Sequence, residues 1–256
     1  MKEPGDIVSE ATGYPFVRPA YSFLFVDGAV EPLQRVDQEE LDARLHALGQ
    51  APLAARMPVL AYGANAAPER LRLKFAPLSP GVAIPVLEAR LFGFDIVHAC
   101  HFSSYGAIPA TLQASPGTIA AVAVTWLDER ELARMTETET INRNYAYGTL
   151  HDIRLEVAGL GRRKTVASYW TRRGCLRLGD GPVALAAIAA ERRRFEARAK
   201  SDVVAAVRDL LAPGMPLDRF IVETVRDREL RSARSRALAD HAVPFAWAAR
   251  TEISRG

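Results

Sequence analysis

The sequence predicts an α+β protein in which strands come first and helices last. Between residues 59 and 171, short apolar runs alternate with turn residues, as expected of strands. From Pro182 onward the pattern becomes helical, interrupted by Pro213-Gly214-Met215-Pro216. With 256 residues, of which 49% are hydrophobic and 25% charged, the chain can bury a large core.

The first 57 residues carry secondary-structure signals but no motif associated with chemistry. Residues 1–18 lack periodicity, and we predict that they are loosely ordered. A strand is predicted over 21–26, and the Asp27-Gly28 pair that follows is typical of a hairpin turn. Asp37 is then placed as the N-cap of an amphipathic helix. We interpret residues 1–57 as an N-terminal extension.

The central region begins with a short buried strand over 59–62, broken by Gly63. A helix is predicted over 66–75, with Pro68 in its first turn. Asp128-Glu129-Arg130-Glu131 is a capping box, and it starts a short second helix. Further strands are predicted at 86–99, 109–113, 118–127, 147–157 and 164–171.

The last part of the chain is predicted to be helical, with one helix over 183–200 and another over 217–239. We therefore expect a central domain over 58–175 and a helical C-terminal extension over 176–256. Residues 161–240 hold 18 basic against 10 acidic residues, although the net charge of the whole chain is only +3. We interpret the excess as solvated helix faces. A nucleic-acid partner for the helical tail, around 192–194 and 226–236, ranks last among the interpretations, because the tail lacks an aromatic platform for base stacking.

The sequence favours a cytoplasmic protein without a membrane partner. Its beginning lacks the basic and apolar regions of a signal peptide, and its longest apolar runs are far shorter than the roughly 20 residues of a membrane helix. Two cysteines, Cys100 and Cys175, are too few for a disulfide framework and are interpreted as free thiols.

Most catalytic motifs are missing. The sequence contains no Gly-x-Ser-x-Gly elbow, no Cys-x-x-Cys, no His-Glu-x-x-His and no phosphate-binding loop with lysine. His98 and His101 are placed on opposite faces of a strand end, so we do not interpret them as metal ligands. The loop Tyr62-Gly63-Ala64-Asn65 remains, where Gly63 permits a turn whose backbone amides point outward at the start of a helix. Such amides can bind a carboxylate or an oxyanion.

This loop and the helix after it resemble the Tyr-Gly-Ser-Asn motif that opens gamma-glutamylcyclotransferase-like (AIG2-like) domains. Later segments follow in the order of that family. Residues 89–97 resemble its second strand, 106–117 its Gly-x-x-Ala-Thr-x-x-x-Ser-Pro-Gly passage, and 121–126 the strand before its short helix. The resemblance covers 59 to about 172, a little under half of the chain. It implies a small mixed β-barrel with flanking helices, here followed by the helical C-terminal part.

The resemblance also implies an activity, the release of 5-oxoproline from a gamma-glutamyl amide without metal or cofactor. Glu139 takes the place of the family's catalytic acid/base, and Glu137 is the second choice if the alignment shifts. The substrate-binding residues carried over are Tyr62, Gly63, Ala64, Asn65 and Tyr145, the last chosen over Tyr147. The sequence departs from the family pattern at three positions, Ala64 for Ser, Thr136 for Asp and Thr140 for Gly.

Two other interpretations stay open at this stage. The chain could be a non-catalytic member of the fold that binds a small molecule or a protein, as the three departures suggest. The two extensions could cover the central domain or complete a homodimer. Asn65 could also cap the helix that follows it.

Overall fold

The computed structural model describes residues 2–139 and 144–253. The helices of these residues are α1 (Pro4–Gly13), α2 (Gln38–Ala47), α3 (Pro68–Phe75), α4 (Glu129–Thr138), α5 (Lys200–Leu211), α6 (Leu217–Arg226) and α7 (Arg228–Ala237). The strands are β1 (Phe23–Val26), β2 (Ala29–Pro32), β3 (Met57–Ala61), β4 (Ala83–His98), β5 (Ala110–Leu127), β6 (Tyr145–Leu150), β7 (Arg154–Val157), β8 (Gly161–Arg163), β9 (Val166–Thr171), β10 (Cys175–Leu178), β11 (Gly181–Pro182), β12 (Ala184–Leu185), β13 (Ala190–Glu191), β14 (Ala197–Arg198), β15 (Ala242–Val243) and β16 (Arg250–Glu252). The predicted α+β class is confirmed.

One large sheet dominates the structure, and its main path runs β14-β12-β4-β5-β3-β9-β6-β16. The expectation of a closed barrel is wrong. Closure would need the two end strands to pair, whereas among the described residues β14 pairs only with β12 and β16 only with β6. The sheet branches instead, because the long strand β4 pairs along its length with β1, β5, β7 and β12.

Several local signals are confirmed. Asp27 and Gly28 both have positive φ, as a type I′ hairpin turn requires, and they join β1 to β2. The Asp37 carboxylate accepts hydrogen bonds from the backbone N–H groups of Glu39 and Glu40 at the start of α2. Asp128 and Glu131 form the full capping box of α4.

The two ends of the chain differ from the prediction. Residues 4–13 form α1 rather than a loose segment, because Ile7 and Ala11 are buried against the C-terminal helices. The apolar run after Pro182 pairs with β4 and β5 as short strands, and the helix starts only at Lys200. The predicted helix over 217–239 is two helices, since Asp227 ends α6 and caps α7.

Three clusters of buried side chains form the core. One of them fills the space between α1, α5, α6 and the loop 99–109, and includes Phe102, Val203 and Phe220. This cluster fixes that loop, whose Gly106 (φ +81°) lies so close to α6 that a Cβ there would approach Val225 to 2.8 Å. The loop in turn carries several side chains of the candidate site.

Candidate functional site

A cavity of about 310 Å³ opens between the loop after β3, the helix α3, the end of α4 and the loop 101–109. All six site residues predicted from the sequence line it. They are Tyr62, Gly63, Ala64, Asn65, Glu139 and Tyr145. The other residues lining it include Tyr14, Arg70, Lys74, His101, Ser103, Ser104, Tyr105, Ala110, Arg134, Asn144 and Tyr169. The structure therefore brings together the loop and the carboxylate that are far apart in the sequence.

The loop after β3 forms a single 3₁₀ turn over Ala64–Ala66 before α3 begins at Pro68. The N–H groups of Ala64 and Asn65 donate no hydrogen bond to any residue that the structure describes. Asn65 does not cap α3, which has no side-chain cap. Ala64, which stands where the resembled motif has Ser, keeps its backbone amide.

Glu139 is the C-cap of α4, directly after its last residue, and its side chain is 15% exposed. Its Oε1 accepts a hydrogen bond from Asn65 Nδ2 at 3.0 Å. The same oxygen forms an ion pair with the Lys74 ammonium on α3. The carboxylate is thus held across the cavity by one side chain of the loop and one of the helix behind it.

Lys74 was not identified from the sequence. Lys74 and Arg70 lie four residues apart, so both side chains lie on one face of the helix that starts at the loop. The four-residue spacing from Arg70 is the feature of the sequence from which Lys74 could have been predicted. Arg134 Nε donates to the Lys74 carbonyl at 2.7 Å, which ties α3 to α4 just before α4 ends at Glu139.

Tyrosines form much of the cavity wall. Burial raises the pKa of Tyr62 and of Tyr145, and the charge of Glu139 adds to both shifts. Burial likewise raises the pKa of Tyr14, and it raises that of Tyr105 to about 12. Because these phenols keep their protons at neutral pH, they are hydrogen-bond donors rather than bases.

Two of these hydroxyls donate to backbone carbonyls. Tyr62 Oη donates to the carbonyl of Tyr169, so its ring is fixed in the core. Tyr145 Oη donates to the Ala110 carbonyl at 3.2 Å. Thr136, which replaces the family's Asp, shares a hydrogen bond of 2.9 Å with the Tyr169 hydroxyl and so joins α4 to β9. Thr140, the third departure, lies outside the described residues.

His98 and His101 are both buried. His101 lines the cavity, and burial lowers its pKa to about 3, so the ring is neutral. His98 is buried and does not line the cavity. Within 2–139 and 144–253, no group of three or more His, Cys, Asp or Glu side chains is arranged to hold a metal ion.

None of the helices described is long and apolar enough to cross a membrane.

Lys200 lies behind the cavity wall, with its Nζ 5.3 Å from the centre of the Tyr14 ring. The residue is 6% exposed, and its Nζ has no hydrogen-bond partner among the described residues. Burial lowers the pKa of Lys200 from 10.5 to about 7. Between these two values the unfolded chain holds a proton that the folded chain releases. The unfolding free energy therefore rises with pH from about 7 to 10.5, and the full penalty is present below pH 7.

Lys200→Met should remove this penalty while keeping the stem packed. We expect the unfolding free energy at pH 6 to rise by about 2–4 kcal/mol, with little change at pH 10. Urea denaturation at both pH values measures the difference. Lys164→Met, at an exposed lysine, is the matched control and should change neither value. An unchanged pH dependence in Lys200→Met would contradict the assignment.

Comparison with known proteins gives structural likenesses only. No family model matches the sequence, and no curated protein matches it. The chain is similar to a solved structure described as a gamma-glutamyl cyclotransferase, at 17% identity and a TM-score of 0.34, over 75% of this chain and 90% of that one. An uncharacterized protein from Homo sapiens gives 17% and 0.37, over 75% and 91%. A protein from Arabidopsis thaliana gives 13% and 0.36, over 70% and 89%.

The first of these structures belongs to the family that the sequence motifs resemble. With TM-scores below 0.5, the likenesses by themselves assign no activity to this chain. The cavity and its side chains carry the proposal that follows.

Proposed function

We propose that the protein is a gamma-glutamylcyclotransferase-type enzyme that releases 5-oxoproline from a gamma-glutamyl amide. The observation that carries the proposal is the hydrogen bond between Asn65 of the loop and the Glu139 carboxylate, at the edge of a cavity large enough for a small ligand. Ala64 and Asn65 line the same cavity, and their backbone N–H groups have no hydrogen-bond partner among the described residues.

In this reaction the substrate supplies its own nucleophile. The α-amine attacks the γ-carbonyl carbon, so a C–N bond closes a five-membered lactam and the C–N bond to the leaving amine breaks. The protein has to hold the substrate curled, accept a proton from the α-ammonium and return one to the leaving nitrogen. A curled substrate reacts faster because the two reacting groups are held near each other.

Each of these tasks has a candidate group. Glu139 forms an ion pair with Lys74, and a carboxylate can accept the ammonium proton. The loop amides can bind the substrate α-carboxylate or the oxyanion of the tetrahedral intermediate. A protonated phenol of the wall, such as that of Tyr105, can donate a hydrogen bond to a substrate oxygen.

The test is release of 5-oxoproline from three kinds of substrate, namely gamma-glutamyl amino acids, gamma-glutamyl amines and glutathione. We expect turnover of at least one kind, measured by chromatographic detection of 5-oxoproline. Absence of product from all three would contradict the proposal.

A second candidate function is binding without turnover, and the Lys74–Glu139 ion pair favours it. Glu139 Oε1 is already occupied by the Lys74 ammonium and by Asn65 Nδ2. In that case a carboxylate ligand such as 5-oxoproline should bind in calorimetry, while the substrate panel gives no product. Lys74→Met separates the two functions, because it removes the ammonium from the Glu139 carboxylate. An enzyme should then keep or increase its turnover, whereas a binding protein should still give no product.

A further inference from the structure

Tyr14 is the point at which the N-terminal segment reaches the cavity. It follows α1 directly and is 6% exposed, with its ring among the cavity-lining side chains. Its hydroxyl oxygen lies so close to Gly63 that a Cβ built on that glycine would come within 2.4 Å of it. The phenol therefore lies directly against the loop that opens the site, and only a glycine there leaves room for it.

The hydrogen bonding of Tyr14 leaves its proton available. The Ala110 N–H donates to Tyr14 Oη at 2.7 Å, so the oxygen acts as acceptor in that bond. Among the described residues, no group accepts the hydroxyl proton of Tyr14. Tyr145 differs, because its hydroxyl is already committed to the Ala110 carbonyl. Burial raises the pKa of Tyr14, and the phenol stays protonated and able to donate.

The segment that carries Tyr14 is anchored on both sides. Glu10 on α1 forms an ion pair of 3.0 Å with Arg70, which lies on the helix behind the loop. The Arg70 guanidinium lies 4.5 Å from the centre of the Phe16 ring and 5.0 Å from that of Tyr105. On its other face, α1 contributes Ile7 and Ala11 to the cluster that it shares with α6. These contacts hold the hydroxyl in one position.

The cavity of about 310 Å³ exists with Tyr14 as part of its wall. That volume lies at the lower end of the range typical of small-ligand sites, and a gamma-glutamyl compound is a small ligand. Tyr14 therefore borders a ligand-sized space and does not fill it. A hydroxyl group at this border, whose proton has no acceptor among the described residues, can donate a hydrogen bond to a ligand oxygen.

We propose that Tyr14 is a catalytic residue supplied by the N-terminal extension, and that it donates a hydrogen bond to the γ-carbonyl oxygen of the substrate. The inference rests on the proposed function. As the α-amine attacks, this oxygen takes up the electron pair of the breaking C=O π bond and becomes an oxyanion. A donor that is already in place stabilises it more than it stabilises the neutral carbonyl, so the effect falls on turnover.

Tyr14→Phe tests the proposal because it removes only the hydroxyl and keeps the ring. We expect kcat to fall by about 10²-fold and KM to change by less than about threefold. Tyr21→Phe is the matched control, because it removes a hydroxyl from an exposed tyrosine of the same segment that does not line the cavity; its kcat should stay within about threefold of the unmodified protein. Thermal unfolding of both variants checks that each is folded.

The outcomes separate the two proposals. If the unmodified protein releases no 5-oxoproline, the proposed function fails and the role of Tyr14 fails with it. If the unmodified protein is active and Tyr14→Phe retains its kcat, only the role of Tyr14 is overturned. A higher kcat in Tyr14→Phe would also overturn it, since the residue would then obstruct the site. An equal loss of kcat in Tyr21→Phe would overturn it as well, because the effect would then not depend on a hydroxyl at the cavity.

Discussion

Glu139→Gln should lower the turnover of gamma-glutamyl substrates by about 10²- to 10⁴-fold, the range associated with general acid/base catalysis. The glutamine keeps the shape of the side chain, and its carbonyl oxygen can still accept the hydrogen bond from Asn65 Nδ2. What it loses is the ability to accept the ammonium proton and return it to the leaving amine. Release of 5-oxoproline under saturating substrate measures the effect.

Glu137→Gln is the matched control for this prediction. Glu137 lies two residues earlier on α4, its side chain is 69% exposed, and it pairs with Arg134 at the surface. Its replacement should leave turnover within about twofold, because an exposed ion pair contributes little. Comparable turnover in Glu139→Gln and the unmodified protein would exclude Glu139 as the proton acceptor. A loss confined to Glu137→Gln would shift the role to that residue.

The second large effect is expected on stability. Arg56 and Glu131 form an ion pair of 2.8 Å, and both side chains are fully buried. Arg56→Met should lower the unfolding free energy by about 3–5 kcal/mol, because it leaves a carboxylate buried without its counter-charge. Urea denaturation at neutral pH measures the loss.

A double variant shows whether the loss of stability in Arg56→Met comes from the unpaired Glu131 charge or from the lost packing of the Arg56 side chain. Arg56→Met combined with Glu131→Gln removes both charges, and the glutamine oxygen can still accept from the N–H groups of Ala83 or Asp128. We expect it to be more stable than Arg56→Met alone. If Arg56→Met cost less than about 1 kcal/mol, the pair would contribute little. This pair also affects the candidate site, because Glu131 caps the start of α4, the helix that Glu139 directly follows.

The parts of the fold predicted correctly are those set by local chemistry. Asp27-Gly28, Asp37 and the Asp128–Glu131 box each act within a few residues, so their signals are complete in the sequence. The stretch after Pro182 was predicted wrongly because a short apolar run fits a buried strand as well as a helix. Its pairing with β4 and β5 is a long-range interaction that periodicity does not contain. The open sheet, likewise, depends on pairings between distant strands.

The candidate site was predictable to a similar extent. The resemblance identified the loop and Glu139, and the structure places them in one cavity. Lys74 was missed although its spacing from Arg70 was visible in the sequence. Tyr14 could not have been found, because nothing near it indicates a site. Its position depends on the packing of α1 against α6, more than 200 residues later in the chain.

That long separation has a consequence for synthesis. A growing chain emerges from the ribosome in order, so α1 is exposed long before the helix it packs against exists. Until α6 has been synthesised, the apolar side of α1 cannot pack against it, and Tyr14 is not held beside the cavity. If Tyr14 acts as proposed, a nascent chain would gain its activity only after α6 has been synthesised, more than 200 residues after α1.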